Sequence, residues 1–282
     1  MVYRFIDENK EAFGLRWLCR QFSISPNAYY NYKKDSKAEY RNRLNQILEL
    51  IKYVYYNNNR VIGYRAMRIL IKRYGYDVSN TTMHKYMNKM LNLCAVIMRS
   101  KPGYRAGKKH KIFDNLLGQK FTVSSKNKIW CTDFTYMRAP NGKFRFNCSI
   151  IDLYDRSVIA SVNGKHLNSR LAIETLEQAL SKENYPKVIL HSDQGTQYSS
   201  WEFVNYCKEH HVTQSMSKAG CPYDNAPMER FYNTFKSSFI YVNTFSSMEI
   251  MDEQTARFIN WYNYVRPHSY NGYLTPMEAR YR

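Results

Sequence analysis

No stretch of this 282-residue chain approaches the ~18 consecutive apolar residues that a membrane span needs. The first residues, MVYRFIDENKEAFG, mix acids with bases and lack an apolar segment, so no secretory signal is expected. Cys-x-x-Cys pairs are missing as well. The six cysteines (Cys19, Cys94, Cys131, Cys148, Cys207 and Cys221) therefore read as reduced, buried thiols of a cytoplasmic protein rather than as a zinc site. The segment GYRAGKK lacks the G-x-x-x-x-G-K-[ST] spacing of a phosphate loop, which excludes an ATP site of that kind. Acid is scarce: 23 Asp and Glu stand against 42 Lys and Arg, a formal charge of +19.

That charge is unevenly spread. Residues 1–125 carry 24 Lys and Arg against 8 Asp and Glu, net +16, and residues 126–282 carry 18 against 15, net +3. A polycationic half joined to a nearly neutral one favours a polyanion such as nucleic acid as partner, through phosphate contacts and counterion release.

The basic half reads as helical. Residues 11–34 predict two short helices around a tight turn, with Leu15, Leu18 and Phe22 as the apolar stripe of the first and Ser25-Pro26 opening the second. Apolar residues from Tyr40 to Tyr55 recur at helical spacing. A further helix–turn–helix pattern follows. One helix spans Gly63 to Tyr74, Gly75-Tyr76 break it, and Ser79 caps a second from about Asn80 to Met90. The second bears His84, Lys85, Asn88 and Lys89, a set suited to a major groove or to the polar face of a small bundle. Residues 99–125, rich in Lys, Arg and Gly and including Lys108 and Lys109, read as a basic linker after a helical region 1–98.

Beyond Lys126 the texture changes to strands. KIWCTDFTYMR alternates, Asn141-Gly142 signals a two-residue hairpin, and FRFNCSIIDLY returns. SVIASVNG gives a third strand, Asn168–Ser181 a helix, and PKVILHSD a short buried strand. A helix (WEFVNYCKEHH), a strand (VTQSMS) and a last helix complete the order β-β-β-α-β-α-β-α, which is that of the ribonuclease H fold. The expected core spans 126–240, with a helical extension over 241–282.

The last helix opens in CPYDNAPMERFYNTFK. Pro227 suits its first position and Asn225 or Asp224 its cap. Glu229, Asn233 and Lys236 share one face, while Phe231, Phe235 and Phe239 lie opposite. Two further acids sit at telling places: Asp133 within the first strand, and Asp193 directly after the fourth, with 35 residues between it and Glu229. Two or three carboxylates suffice to hold hard divalent cations, which in pairs can clamp the attacking and leaving oxygens of a phosphoryl transfer. Asp152 and Asp155 are rival acids expected to pair with Arg156 or cap a turn, and Asp224 is expected in the turn before the helix. His191 and Gln197 flank Asp193, with second-rank support and ordinary packing both open.

The motifs WCTDFTY, HSDQGTQY, DNAPMERFYNTFK and NYVRPH…GYLTPMEAR, together with LCRQFSISPNAYYNY and GYRAMRILI near the start, resemble the OrfB component of IS3-type (IS150-like) insertion-sequence transposases, in the retroviral-integrase (DDE) superfamily. The resemblance covers essentially the whole chain. It implies an α/β ribonuclease H-like integrase core behind an all-α helix–turn–helix DNA-binding region. It implies that Asp133, Asp193 and Glu229 bind two Mg²⁺ ions, for which Mn²⁺ can substitute, and catalyse cleavage and strand transfer at the element's ends. Lys236 and Asn233 would then approach the DNA end, with Lys85, Lys89, Lys108 and Lys109 as further DNA contacts. The resemblance also implies OrfA, or an OrfA–OrfB fusion, as partner, because no heptad run here is long enough for a leucine zipper. A homo-oligomer on DNA, associated with the nucleoid, is expected. Ser238 stands where many relatives carry a glutamate, and the role of Arg266-Pro267-His268 is left open. A nuclease that cuts without joining and a DNA-binding regulator with a dead core are the competing readings, the latter disfavoured by three intact acids.

Overall fold

The computed structural model describes residues 1–34, 38–96, 112–138, 142 and 144–282, which divide into two compact units, Met1–Val54 and Tyr55–Arg282. In the first, α1 (Val2–Phe13) precedes α2 (Leu15–Gln21) and α3 (Pro26–Lys33). Gly14, at φ 77°, makes the break between α1 and α2, a conformation that costs glycine little. Ser25 accepts a hydrogen bond from the Ala28 amide at 3.1 Å and Pro26 takes the first helical position, as expected. Ile6, Leu18, Cys19 and Tyr29 form the small core. Phe22 is exposed rather than on the buried stripe, because α2 ends one residue before it. Helix α1 is an additional element; its Ile6 and Tyr3 pack into this core while its acids and bases lie outward.

Helix α4 (Ala38–Asn57) leads into the second unit. There α5 (Tyr64–Arg73) and α6 (Asn80–His84) bury Met67, Ile71 and Met83, and the Ser79 side chain caps α6. The expected helix to Met90 is in fact two pieces, since Lys85–Met90 is π-helical. This part is tied to the C-terminal helices: Trp261 Nε1 donates to Asn58 Oδ1 at 2.5 Å, and Arg73 pairs with Glu278 at 2.8 Å.

The central sheet has five strands: β1 (Ile129–Arg138), β2 (Phe144–Asp152), β3 (Val158–Gly164), β4 (Ile189–Ser192) and β5 (Thr213–Met216), in the order β3-β2-β1-β4-β5. The first three form an antiparallel meander, and β4 and β5 add in parallel after crossover helices α7 (Ser169–Lys182) and α8 (Trp201–Glu209). The described pairing of the β1–β2 hairpin ends at Arg138 and Phe144; of residues 139–143 between them only Gly142 is described, so the expected Asn141-Gly142 turn lies outside the described residues.

Strand alternation divides the core in two. Trp130 and Ile150 pack with α7 and α8, whereas Cys131 and Ile151 pack with α9 (Ala226–Phe235) and α10 (Met248–Tyr264). Phe231, Phe235 and Phe239 are all buried in the second layer, which accounts for the apolar back of α9. At roughly 1.5–3 kcal/mol per buried aromatic side chain, this layer fixes where α9 lies. Leu117 joins the same layer, so part of the expected linker lies against the core.

The C-terminal helix α11 (Pro276–Arg280) is held by a Thr275–Glu278 capping box. Its Arg280, fully buried, corrects the expectation for Asp152 and Asp155. They pair with Arg280 at 3.0 and 2.7 Å, and Glu183 joins at 2.5 Å. Arg156 instead lies over the Tyr270 ring at 4.0 Å and donates to the Phe121 carbonyl. The turn-capping half of that expectation holds, with Asp155 accepting from the Ser157 amide at 2.7 Å. Of the cysteines, Cys94 is exposed and Cys221 half-buried, unlike the four buried thiols. Among the described residues no helix is long and apolar enough to cross a membrane.

Candidate active site

Strands β1 and β4 pair only over Ile129–Cys131. Strand β4 stops at Ser192 while β1 runs on to Arg138, so one edge of β1 loses its strand partner from Thr132 onward. Such unpaired backbone groups need partners when covered. The turn before α9 supplies one: Asn225 Nδ2 donates to the Thr132 carbonyl at 3.4 Å. On the other side of β1, facing β2, the Tyr232 hydroxyl of α9 donates to the Asp133 carbonyl at 2.7 Å. The notch therefore gathers Asp133 on the open edge, Asp193 just past the end of β4, and Glu229 in the first turn of α9. Neither expected capping side chain caps α9. Asn225 is spent on β1, and the Asp224 carboxylate accepts from the Lys218 amide, Asn115 and Gln119 at 2.8–2.9 Å.

The three acids sense one another unequally. Burial pushes the half-buried Asp133 carboxyl up, and Asp193 and then Glu229 raise it further, against the Phe134 amide at 2.7 Å and Lys236, which lower it. The Asp193 carboxylate reaches solvent yet is closely hemmed in, and desolvation raises it against the Gly195 amide at 3.0 Å. Burial also raises Glu229. Lys236 is lowered by burial and raised by Asp133, so its ammonium lies within electrostatic reach of that acid. Among the described residues no three Asp, Glu, His or Cys side chains are close enough to hold one ion as they stand. The arrangement is a coupled Asp133–Asp193 pair with Glu229 as the outer member.

A hard divalent cation suits this donor set. The donors are carboxylate oxygens, and two neighbouring amide oxygens, Asn225 Oδ1 and Gln194 Oε1, are buried without a hydrogen-bond partner among the described residues. Asn233 is exposed on the face of α9 that bears Glu229. Lys85 and Lys89 are exposed on the π-helical turn after α6, and Lys108 and Lys109 lie outside the described residues.

His191 is fully buried and acts as a brace. Its Nε2 lies 3.0 Å from the Asp224 carbonyl, which can only accept, so Nε2 carries the proton. Its Nδ1 then accepts from Ser215 Oγ at 2.9 Å. Burial lowers its pKa and keeps the ring neutral, consistent with that tautomer. The ring thereby links β4 and β5 to the turn that launches α9. Gly195 has a steric reason to be glycine: a Cβ there would sit 2.9 Å from Asp193 Oδ1 and 2.7 Å from Gln197 Oε1. Gly195→Ala is expected to displace the Asp193 carboxylate and lower turnover by about 10²-fold with little change in melting temperature; near-normal turnover would show that the carboxylate tolerates the shift. Arg266 stacks on Tyr262 at 5.2 Å, and the neighbouring His268 is held neutral by burial, its pKa lowered to about 3.

Comparison with known proteins places this geometry in a family. Models described as integrase core domain match residues 123–222 and 210–276. The transposase InsF of insertion sequence IS3A from Escherichia coli K12 is 30% identical over 284 positions, spanning 98% of this chain and 97% of the relative. The chain belongs to the IS3-type transposases. InsK of element IS150, from the same organism, is 29% identical over 98% of this chain and 97% of its own length. A chain of the simian T-cell lymphotropic virus intasome superposes with a TM-score of 0.50 at 17% identity, covering 84% of this chain and 74% of its own, which shows the shared integrase fold. This transposase is thus a member of the DDE polynucleotidyl transferases, with a ribonuclease H-like core behind an all-helical N-terminal region.

Proposed function

We propose that Asp133, Asp193 and Glu229 are the metal-binding catalytic triad of this transposase, acting on the ends of its own element and on target DNA. The observation that carries the reading is the convergence of Asp133 on β1, Asp193 just past the end of β4 and Glu229 in the first turn of α9 at the edge of β1 that β4 leaves open. Three carboxylates gathered without a counter-charge of equal size favour a bound cation. Two Mg²⁺ ions, or Mn²⁺ in their place, would supply stabilisation of charge building on the phosphate oxygens. The chain's own residues do the rest. The Phe134 and Gly195 amides orient the two aspartates, Tyr232 and Asn225 fix α9 against β1, and Lys236 and Asn233 present a cation and an amide to the DNA end.

In this reading residues 1–98 bind element ends, with Lys85 and Lys89 on phosphates. The segment 99–125, with Lys108 and Lys109, bridges to a core at 126–240 that 241–282 extend. A homo-oligomer on DNA and an OrfA partner or fusion complete the machinery, which works at the nucleoid in the cytoplasm.

The test is Mg²⁺- or Mn²⁺-dependent cleavage and joining of DNA carrying the element's ends, with and without OrfA, for wild type and Glu229→Gln. The variant is expected to lose at least about 10²-fold in both steps while still binding DNA. Equal activity would mean the triad is misassigned. Cutting without joining by the wild type would favour a nuclease, and inactivity even with OrfA a regulatory DNA-binding protein.

A further inference from the structure

Three residues beyond Asp133, β1 turns a large aromatic ring outward. Thr135 and Met137 on either side are buried, whereas Tyr136 is 51% exposed. Phe144, near the start of β2, is equally exposed at 51%, and the two rings meet edge to face with centroids 5.7 Å apart. They lie diagonally across the β1–β2 pair, where long side chains reach one another. The Lys236 ammonium sits 4.8 Å from the Tyr136 ring centroid, and the same ammonium is within the field of Asp133. An exposed aromatic step with a cation at its side therefore adjoins the acidic notch.

Neither ring is spent on the core, and the ammonium would be costly to strip of water against a purely apolar partner. A flat π-face beside an anionic phosphate matches both features. Nucleobases stack on protein aromatics largely regardless of sequence, and a neighbouring cation holds the backbone that carries them. A base inside a duplex hides both faces and a terminal pair exposes only one, so an unpaired base is the ligand that best offers this step a free face together with its own backbone phosphate. We propose that Tyr136 and Phe144, with Lys236, stack one unpaired nucleobase of the bound DNA end and so hold the strand over Asp133. The inference rests on the DNA-end reading of the site and adds to it the single-stranded form of the substrate.

The test is a cycle of binding measurements on the full chain in metal-free buffer, by fluorescence anisotropy. The probes are forked duplexes with unpaired terminal nucleotides of the element's end, intact or with an abasic nucleotide at each unpaired position in turn. For wild type and Tyr136→Phe, one abasic position is expected to weaken binding about 10-fold. Tyr136→Ala is expected to bind intact and abasic probes alike, at the weaker level. Because Tyr136 lies outside the core, that variant is expected to melt as the wild type does. An abasic penalty of equal size in Tyr136→Ala, or none at any position in the wild type, would overturn the proposal. Neither result depends on catalysis, so a failure of the triad would show separately, in the cleavage and joining of element ends.

Discussion

Asp133→Asn is expected to abolish cleavage and joining and, at neutral pH, to raise the melting temperature of the metal-free protein. Both effects have one cause. Asp133 is carried on a strand within the sheet, where burial and then Asp193 and Glu229 disfavour its charge. Its folded pKa lies above the unfolded value, so the folded chain binds the proton more tightly. Stability of the metal-free wild type therefore falls as pH rises from about 4 through the folded pKa, and the full penalty is present above it. Asparagine keeps the shape and removes the charge. Each kcal/mol relieved corresponds to roughly 2–4 °C for a domain of this size. Saturating Mg²⁺ should reverse the order, since ligand at a hundred times its dissociation constant stabilises by about 2.7 kcal/mol and the variant should gain far less. Thermal melts with and without Mg²⁺ check this. A variant that melts like the wild type in both conditions would place Asp133 outside the metal-binding set.

The second large effect lies at the opposite end of the sheet. Arg280→Met is expected to destabilise the fold by about 3–5 kcal/mol, because it strands Asp152, Asp155 and Glu183 without their cation. The Asp152 carboxyl is already raised by burial and then by Asp155, against the Tyr154 and Asn127 amides and then Arg280, which lower it. The damage should shrink as pH falls, when the Asp152 carboxyl, raised by burial, takes up a proton, and the double variant with Asp152→Asn should be milder than the sum of the two single changes. The expected drop in melting temperature at neutral pH is about 10 °C or more. A melting temperature within a degree or two of wild type would mean the buried network contributes little.

These two sites also show what the sequence could and could not reveal. The face of α9 was legible because both of its signals are local: Pro227 marks the start, and the phenylalanines repeat at helical spacing. Strand order was legible for the same reason, since alternation and turn residues are read within short windows. Arg280 was not, because its partner Asp152 is 128 residues away and a lone arginine near a chain end carries no periodic signal. The bond from Asn225 to the open edge of β1 was hidden too, because it exists only once β4 has stopped short. The π-turns at Lys85–Met90 and Lys236–Ile240 insert a residue without changing composition. His191 had a visible neighbour in Asp193, yet its brace depends on Ser215 and on the Asp224 carbonyl, both brought in by tertiary packing.

The central claim is that three acids from three separate elements hold one set of cations. It is tested most directly by titrating Mn²⁺ into the full-length protein with a DNA end and following free Mn²⁺ by electron paramagnetic resonance. Wild type is expected to take up two ions. Asp133→Asn, Asp193→Asn and Glu229→Gln are each expected to lose at least one of them while the fold and DNA binding persist. Unchanged Mn²⁺ uptake in all three variants would contradict the account.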